Sequence, residues 1–405
     1  MLWLYNFGIF LYNLVVKSIA PYNSKAKLFN QGRKHLFSIL QEKITKEQKH
    51  IWFHFASLGE FEQGRPVLEK IKVLYPHKKI IITFFSPSGY EVRKNYALAD
   101  GIFYLPLDTA FNARRFIEIV NPEIAVFTKY EFWHHYFKVL KEKNIPLFLI
   151  SGIFRPNQMF FKWYGGFYRN MLNCITWFFV QNEESVTLLH QIGLKNVELS
   201  GDTRFDRVYE NAEAVKPLPL IEEFISRAPV LLAGSTWPAD ENLLTQLRLK
   251  HPNWKFVLAP HEIGADHIRQ IEKQFPSAIR YSVLQKSSAD KQVLIIDNIG
   301  LLSALYQYGT IAYIGGGFGA GIHNTLEAAA FGLPVIFGPR YEKFQEAKDL
   351  VLKKAAISVH NEQELEDAFE HFSSQPAFGQ IAKDYVKERK GATEGILKEI
   401  SKYLN

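Results

Sequence analysis

Glu60 is the first residue whose setting suggests chemistry. It closes Ala56-Ser57-Leu58-Gly59-Glu60, which follows the apolar run Ile51–Phe55 and opens a helical pattern. A strand that ends in a tight turn and hands a carboxylate to a helix start places it at the strand's carboxyl end. Parallel α/β sheets bind their ligands there. A partly desolvated carboxylate in that position can take a proton from a hydroxyl. The competing reading is a helix-start carboxylate that only complements the macrodipole. Ser57 does not read as a nucleophile elbow, because Phe55 stands where G-x-S-x-G needs its first glycine.

Residues 311–339, IAYIGGGFGAGIHNTLEAAAFGLPVIFGP, form the second constellation. A strand runs into glycines, a helix begins near His323 and Asn324, and a second strand ends in Gly338-Pro339. Glycines let backbone amides approach a phosphate, and a helix start favours its charge. Gly315, Gly317 and Ala320 form only a partial dinucleotide fingerprint, because the helix does not open at once. Glu327 falls one turn into that helix, where a carboxylate can bind ribose hydroxyls. Arg204, in SGDTRFDR, could clamp a phosphate; a surface salt bridge is the alternative. GSTWPADE, residues 234–241, reads as a strand end, a cap and a proline suited to the first helical turn.

A resident metal finds little support. His261, Glu262 and His267 spell H-E-x-x-x-x-H rather than H-E-x-x-H, and a spacing of six puts the histidines on different helix faces. There is no D-x-D and no Walker A motif. One cysteine, Cys174, excludes an intrachain disulfide framework and a cysteine-based zinc site.

The elements that must position these residues alternate between short apolar strands and helices, the pattern of α/β units. Strands are expected at Ile51–Phe55, Ile80–Phe85, Ile124–Phe127, Pro146–Ile150 and Trp177–Val180. A second set is expected at Val230–Ala233, Lys255–Ala259, Val293–Ile296, Ile311–Ile314 and Pro334–Phe337. NAEAVKPLPL, residues 211–220, reads as a linker, and the tail from Glu362 reads as helical. The 405 residues, at ~150 per domain, suggest two or three domains. Two parallel-sheet domains with a cleft between them is the expected architecture.

The charge is +7 (48 basic, 41 acidic), enough to favour an anionic partner and too little to argue for nucleic acid. It is unevenly spread. Met1–Gln41 holds no Asp or Glu but carries Lys17, Lys25, Lys27, Arg33 and Lys34 behind the apolar run LWLYNFGIFLYNLVV. That run is short for a membrane span of ~20 residues, and neither a basic start nor a cleavage site marks it as a signal peptide. An aromatic helix lying at a bilayer surface, with cations facing anionic lipid, fits better. Residues 154–172 interleave Arg155, Lys162 and Arg169 with aromatics, which suits core packing or contact with an anionic amphiphile.

Taken in order, ASLGE, YEFW, DTRFD, GSTWPADE, DNIGLL and GGG…HNTLEAAAFGLPVIFGP resemble the 3-deoxy-D-manno-octulosonic acid (Kdo) transferases of lipopolysaccharide assembly. The resemblance covers nearly the whole chain. It implies a GT-B fold of two Rossmann-like domains: a membrane-associating segment at 1–40, an acceptor domain at 41–210, the linker at 211–220 and a CMP-Kdo-binding domain at 221–405. The C-terminal helix could return to the first domain. It also implies inverting transfer of Kdo from CMP-Kdo to a lipid A precursor at the cytoplasmic face of the inner membrane, with no cofactor and no metal. By the same resemblance Glu60 is the proton acceptor, and Glu131 and Arg204 stabilise the transition state. Pro260, His261, Ile299, Gly300, Leu301, Gly316, Gly317, Asn324, Thr325, Leu326 and Glu327 fall to the CMP side. Lys129 replaces the first glutamate of the family's T-E-x-E-x-W, and Ala259-Pro260-His261 lacks the arginine of its P-R-H. A UDP-sugar transferase of the same fold, or a non-catalytic module, are the rival readings.

Overall fold

A computed structural model describes residues 1–45, 47–375 and 377–404. The chain divides into two compact units, Met1–Asp206 with Lys390–Asn405, and Arg207–Arg389. Among the described residues each unit is built on a seven-stranded parallel sheet.

The first sheet holds β1 (His50–Phe55), β2 (Lys79–Phe84), β3 (Gly101–Tyr104), β4 (Pro122–Thr128), β5 (Leu147–Gly152), β6 (Trp177–Val180) and β7 (Val197–Leu199). Their order is β3-β2-β1-β4-β5-β6-β7. The strands near the middle read as continuous apolar runs because both faces are covered, as in parallel sheets generally. All six residues of β1 are buried. The pleat sends Ile51, Phe53 and Phe55 into one core with Phe61, Ile71, Ile396 and Ile400, and Trp52 into the opposite core with Phe116, Phe127 and Tyr136. The C-terminal stretch is fastened to this unit by Asp206, which accepts the amides of Gly391 and, at 2.7 Å, Thr393.

The second sheet holds β8 (Val230–Thr236), β9 (Lys255–Pro260), β10 (Ile279–Arg280), β11 (Val293–Ile295), β12 (Ile311–Ile314), β13 (Val335–Phe337) and β14 (Ala356–Ser358), in the order β10-β11-β9-β8-β12-β13-β14. All ten strands expected from the sequence are present. The four it missed, β3, β7, β10 and β14, are the sheet edges. An edge strand needs only one neighbour and partial cover, so it can be short and carry a weak apolar signal.

The expected linker at 211–220 takes in the end of one helix and the start of the next, with residues 214–218 non-helical between them. One helix runs Arg204–Glu213 and the next Pro219–Ile225. Pro219 sits in the first turn, where its fixed φ favours a helix and its missing N–H costs nothing. The change of unit falls inside the first of these helices, between Asp206 and Arg207.

Among the described residues one helix, Leu2–Ile19, is long and apolar enough to cross a membrane, with a mean hydropathy of 1.3. It is anchored along one side to its own unit. Tyr5 donates to Asp108 at 2.5 Å, Asn6 meets His135 at 2.7 Å, and Tyr12 packs on Phe29 and Phe85. The other side is bare: Trp3 is 71% and Phe10 61% exposed.

Candidate active site

In each sheet the order reverses at one place, β1/β4 in the first and β8/β12 in the second. Chain crossovers leave to opposite sides there, opening a crevice at the strands' carboxyl ends.

Glu60 follows β1 and lies in the first turn of the helix Leu58–Leu74, half-buried, with the Ser57 hydroxyl donating to its carboxylate. Glu131 follows β4. Its Oε2 meets His54 Nε2 at 3.1 Å and accepts the Trp133 indole N–H at 2.9 Å. His54 is fully buried. Its Nδ1 lies 2.8 Å from the Thr83 hydroxyl, which also accepts the Trp52 indole N–H at 2.8 Å. Trp52 donating to Thr83, Thr83 to His54 and His54 to Glu131 is the one direction that gives a neutral imidazole and a carboxylate their proper roles. The carboxylate of Glu131 is therefore aimed by a chain of buried donors. Sequence reading missed His54; its only signal was a polar residue inside an otherwise apolar strand.

Arg204 begins its helix beside Asp202, whose carboxylate accepts its backbone N–H and its Nε, both at 2.9 Å, and pairs with Nη2 at 2.8 Å. The salt bridge weighed as an alternative is thus present, with a buried acid of its own loop. Gln63, one turn beyond Glu60, reaches the same Asp202 at 3.4 Å, and the Thr203 hydroxyl donates to the Gln63 carbonyl. The helix that carries Glu60 also packs against the end of β4: a Cβ at Gly64 would lie 2.3 Å from the Phe55 ring and 3.1 Å from Thr128 Oγ1. Glu60, Glu131 and Arg204 are in this way brought to one end of the first sheet.

In the second unit two of the glycine amides are taken up within the fold. The amide of Gly315 donates to the Gly234 carbonyl at 2.9 Å, and that of Gly316 to Asp240 at 2.9 Å. Neither is directed at a ligand. A Cβ at Gly315 would lie 2.3 Å from the Ser235 carbonyl oxygen, and one at Gly317 would lie 2.6 Å from Gly338 Cα. These glycines are required because three backbone segments cross in contact. Asp240, fully buried, also accepts the Tyr313 hydroxyl at 2.8 Å, and burial raises its carboxyl above the usual range. The helix after the glycines is only five residues, Leu326–Ala330, and Asn324 Oδ1 already takes the Leu326 amide at 3.0 Å.

The remaining candidates gather unevenly. His261, just beyond Pro260 and β9, stacks between Trp237 and His323, with ring centroids at 4.8 and 4.4 Å. Trp237 Nε1 donates to His323 Nε2 at 3.2 Å, so the His323 proton sits on Nδ1. Burial and the neighbouring His261 push His323 down to about 4. Glu327 is raised by burial, against the lowering influence of Arg207 and a 3.3 Å bond from Asn324. Thr325 Oγ1 is buried with no hydrogen-bond partner among the described residues. Ile299-Gly300-Leu301 form a loop in which Gly300 takes a φ of +95° and Ile299 is 88% exposed. Trp237, His323 and Arg207 escaped sequence reading, because an aromatic at a helix start or an arginine after F-D has no periodic signal. Among the described residues no group of three or more His, Cys, Asp or Glu is placed to hold a metal ion.

Residues 31–207 match the family described as 3-deoxy-D-manno-octulosonic-acid transferase (kdotransferase). The 3-deoxy-D-manno-octulosonic acid transferase of Haemophilus influenzae is 27% identical over 87% of this chain and 87% of its own length. That of Aquifex aeolicus is 27% identical over 81% of this chain and 89% of its own. Among solved structures, UDP-GlcNAc 2-epimerase from Neisseria meningitidis superposes with a TM-score of 0.61 at 16% identity, covering 87% of this chain and all of that one. The last likeness concerns fold alone, and an epimerase on the same fold shows how little fold fixes activity. The matched segment and the full-length relatives agree: over most of its length the chain is similar to 3-deoxy-D-manno-octulosonic acid transferases, and its paired parallel sheets are those of a GT-B fold.

Proposed function

We propose that this protein transfers Kdo from CMP-Kdo to a lipid A precursor at the cytoplasmic surface of a bacterial inner membrane, with inversion at the anomeric carbon. The observation that carries the reading is that the family match over 31–207 contains Glu60, Glu131 and Arg204 together. Glu60 takes the proton of the acceptor hydroxyl as its oxygen bonds to the anomeric carbon. The bond from that carbon to the phosphate oxygen breaks, and CMP leaves with the electron pair. Arg204, held by Asp202, stabilises the charge that grows on the departing phosphate. Glu131, aimed by His54 and Trp133, supports the positive character at the anomeric centre. On the donor side, Thr325 offers an unused buried hydroxyl and the Trp237–His261–His323 stack a flat polar-aromatic face. The amides of Gly315 and Gly316 are already engaged and take no part.

The helix Leu2–Ile19, docked along one side and apolar on the other, suits residence at the bilayer surface. At ~1.5 Å per residue it is ~27 Å long, just short of the hydrocarbon core. Incubating the purified protein with CMP-Kdo and a lipid A precursor, then weighing the lipid, tests the proposal. A gain of one or more Kdo residues, undiminished by EDTA, is expected. No gain with CMP-Kdo, but transfer from a UDP-sugar, would replace the donor. Dependence on added Mg²⁺ would overturn the metal-free mechanism.

A further inference from the structure

Gln63 and Asp202 are 139 residues apart in sequence and meet in the interior of the first unit. Gln63 grips the loop ahead of Arg204 twice. Its Nε2 donates to Asp202 Oδ2 at 3.4 Å, and its backbone carbonyl accepts the Thr203 hydroxyl. The same Oδ2 takes Arg204 Nε at 2.9 Å and Nη2 at 2.8 Å, while Oδ1 takes the Arg204 amide at 2.9 Å. Gln63 stands three residues after Glu60, on the same face of the helix Leu58–Leu74. Gly64, the next residue, lets that helix press against Phe55 and Thr128. One buried side chain therefore joins the segment of Arg204 to the helix of Glu60.

Stability alone would not select this joint. Gln63 Oε1 is buried and has no hydrogen-bond partner among the described residues, and neither has Thr128 Oγ1, beside Gly64. A buried acceptor without a donor is costly. Ser151, whose hydroxyl lies 3.2 Å from Thr203 Oγ1, takes a φ of +53°, a strained value for a residue with a Cβ. A methionine at position 63 would fill a similar volume without the orphaned oxygen, and Asp202 would keep Arg204 as its partner. Strain and unmet polar groups gather here, where two segments of the candidate site are fastened together.

We propose that Gln63 is a positioning residue: through Asp202 it fixes the Arg204 guanidinium relative to the helix that carries Glu60. What Arg204 does rests on the proposed function; how it is held does not. Arg204 paired with Asp202 alone would move with its own loop. Tied to Gln63, the pair keeps its register with Glu60, and a misplacement of about 1 Å can cost about 10²-fold in rate.

The test makes Gln63→Met alone and in the Arg204→Ala background. Alone, it should lower kcat by about ten- to thirtyfold and leave the KM for CMP-Kdo within about twofold. The acid limb of the pH–rate profile should stay in place, because Glu60 is untouched, and the melting temperature should be unchanged or raised. In the Arg204→Ala background the same change should cost less than about twofold, since no guanidinium remains to be positioned. Equal fold-losses in both backgrounds, a displaced acid limb, or an unchanged kcat would overturn the proposal. A second readout needs no substrate: exchange of the Arg204 Nε proton, followed by NMR of the arginine side chains and assigned with Arg204→Lys. It should be about tenfold faster in Gln63→Met, and an unchanged rate would overturn the proposal as well. Absence of any transfer by the unaltered protein would count against the transfer reaction alone, because the exchange is measured without donor or acceptor.

Discussion

The switch points of the two sheets hold the same place in the same architecture and are furnished in opposite ways. At β1/β4 the working groups are side chains: Glu60 and Glu131 at the ends of neighbouring strands, each with its own donor, and Arg204 beside them on Asp202. At β8/β12 the space is taken by backbone crossing backbone. The acids there are structural: Asp240 clamps Gly316, and Glu241 is tied to His267 and Thr236. What remains for a ligand is one orphan hydroxyl, an aromatic stack and half-buried Glu327. One scaffold therefore presents charged side chains in the first unit and crossing backbone with an aromatic stack in the second. Loop residues decide between them, not the sheet.

That contrast predicts which variants lose which property. The largest effect belongs to Glu60→Gln. Glutamine keeps the volume and the Ser57 contact but cannot accept a proton, so turnover should fall by about 10²–10⁴-fold. Melting temperature should barely move. A structural cap would lose stability and keep its rate, and a rate within about tenfold of wild type would transfer the role to Glu131.

Arg204→Ala comes next, at about 10²–10³-fold in turnover. Arg204→Lys should recover much of the loss, because one ammonium can still stabilise a leaving phosphate. Equal failure of both variants would mean that the two-nitrogen grip on Asp202, and not the charge, is what matters.

How far the sequence disclosed this division depends on what each residue does for the chain's regularity. The inner strands were legible because burial on both faces demands unbroken apolar runs. The four edge strands were not, because two to four residues with one neighbour leave no such demand. Glu60 was legible from a strand, a tight turn and a helix start. His54, Asp202 and Asp240 were not, since each works by meeting residues distant in sequence: Glu131, Gln63 and Gly316. The glycines were legible, but the backbone crossings at Gly315 and Gly317 were not. Sequence tells that a side chain must be absent, but not whether a ligand or another strand fills the gap.

Thr325→Val sharpens the comparison from the other unit. Losing one hydroxyl contact should weaken CMP-Kdo binding by about three- to tenfold, while removing an unsatisfied buried polar atom should leave stability unchanged or slightly raised. A stability loss with unaltered donor affinity would assign the hydroxyl to the fold.

The smallest effect is a pH slope. His323, pushed to about 4, binds its proton more readily in the unfolded chain. Its contribution to stability is intact above the unfolded value near 6.5 and is lost as pH falls towards 4. His323→Phe keeps the ring stack and removes the titration, so its melting temperature should fall less steeply than wild type across that window. Parallel slopes would mean that His323 is protonated as easily in the fold as out of it.

The division of labour is tested most directly by titrating CMP-Kdo into Glu60→Gln and Thr325→Val side by side and measuring single-turnover transfer in the same samples. The account predicts a crossing: Glu60→Gln binds donor as wild type does and transfers about 10²–10⁴-fold more slowly, whereas Thr325→Val binds less tightly and, once saturated, transfers at nearly the wild-type rate. Donor affinity lost by Glu60→Gln in proportion to its rate, or a saturated Thr325→Val as slow as Glu60→Gln, would contradict it.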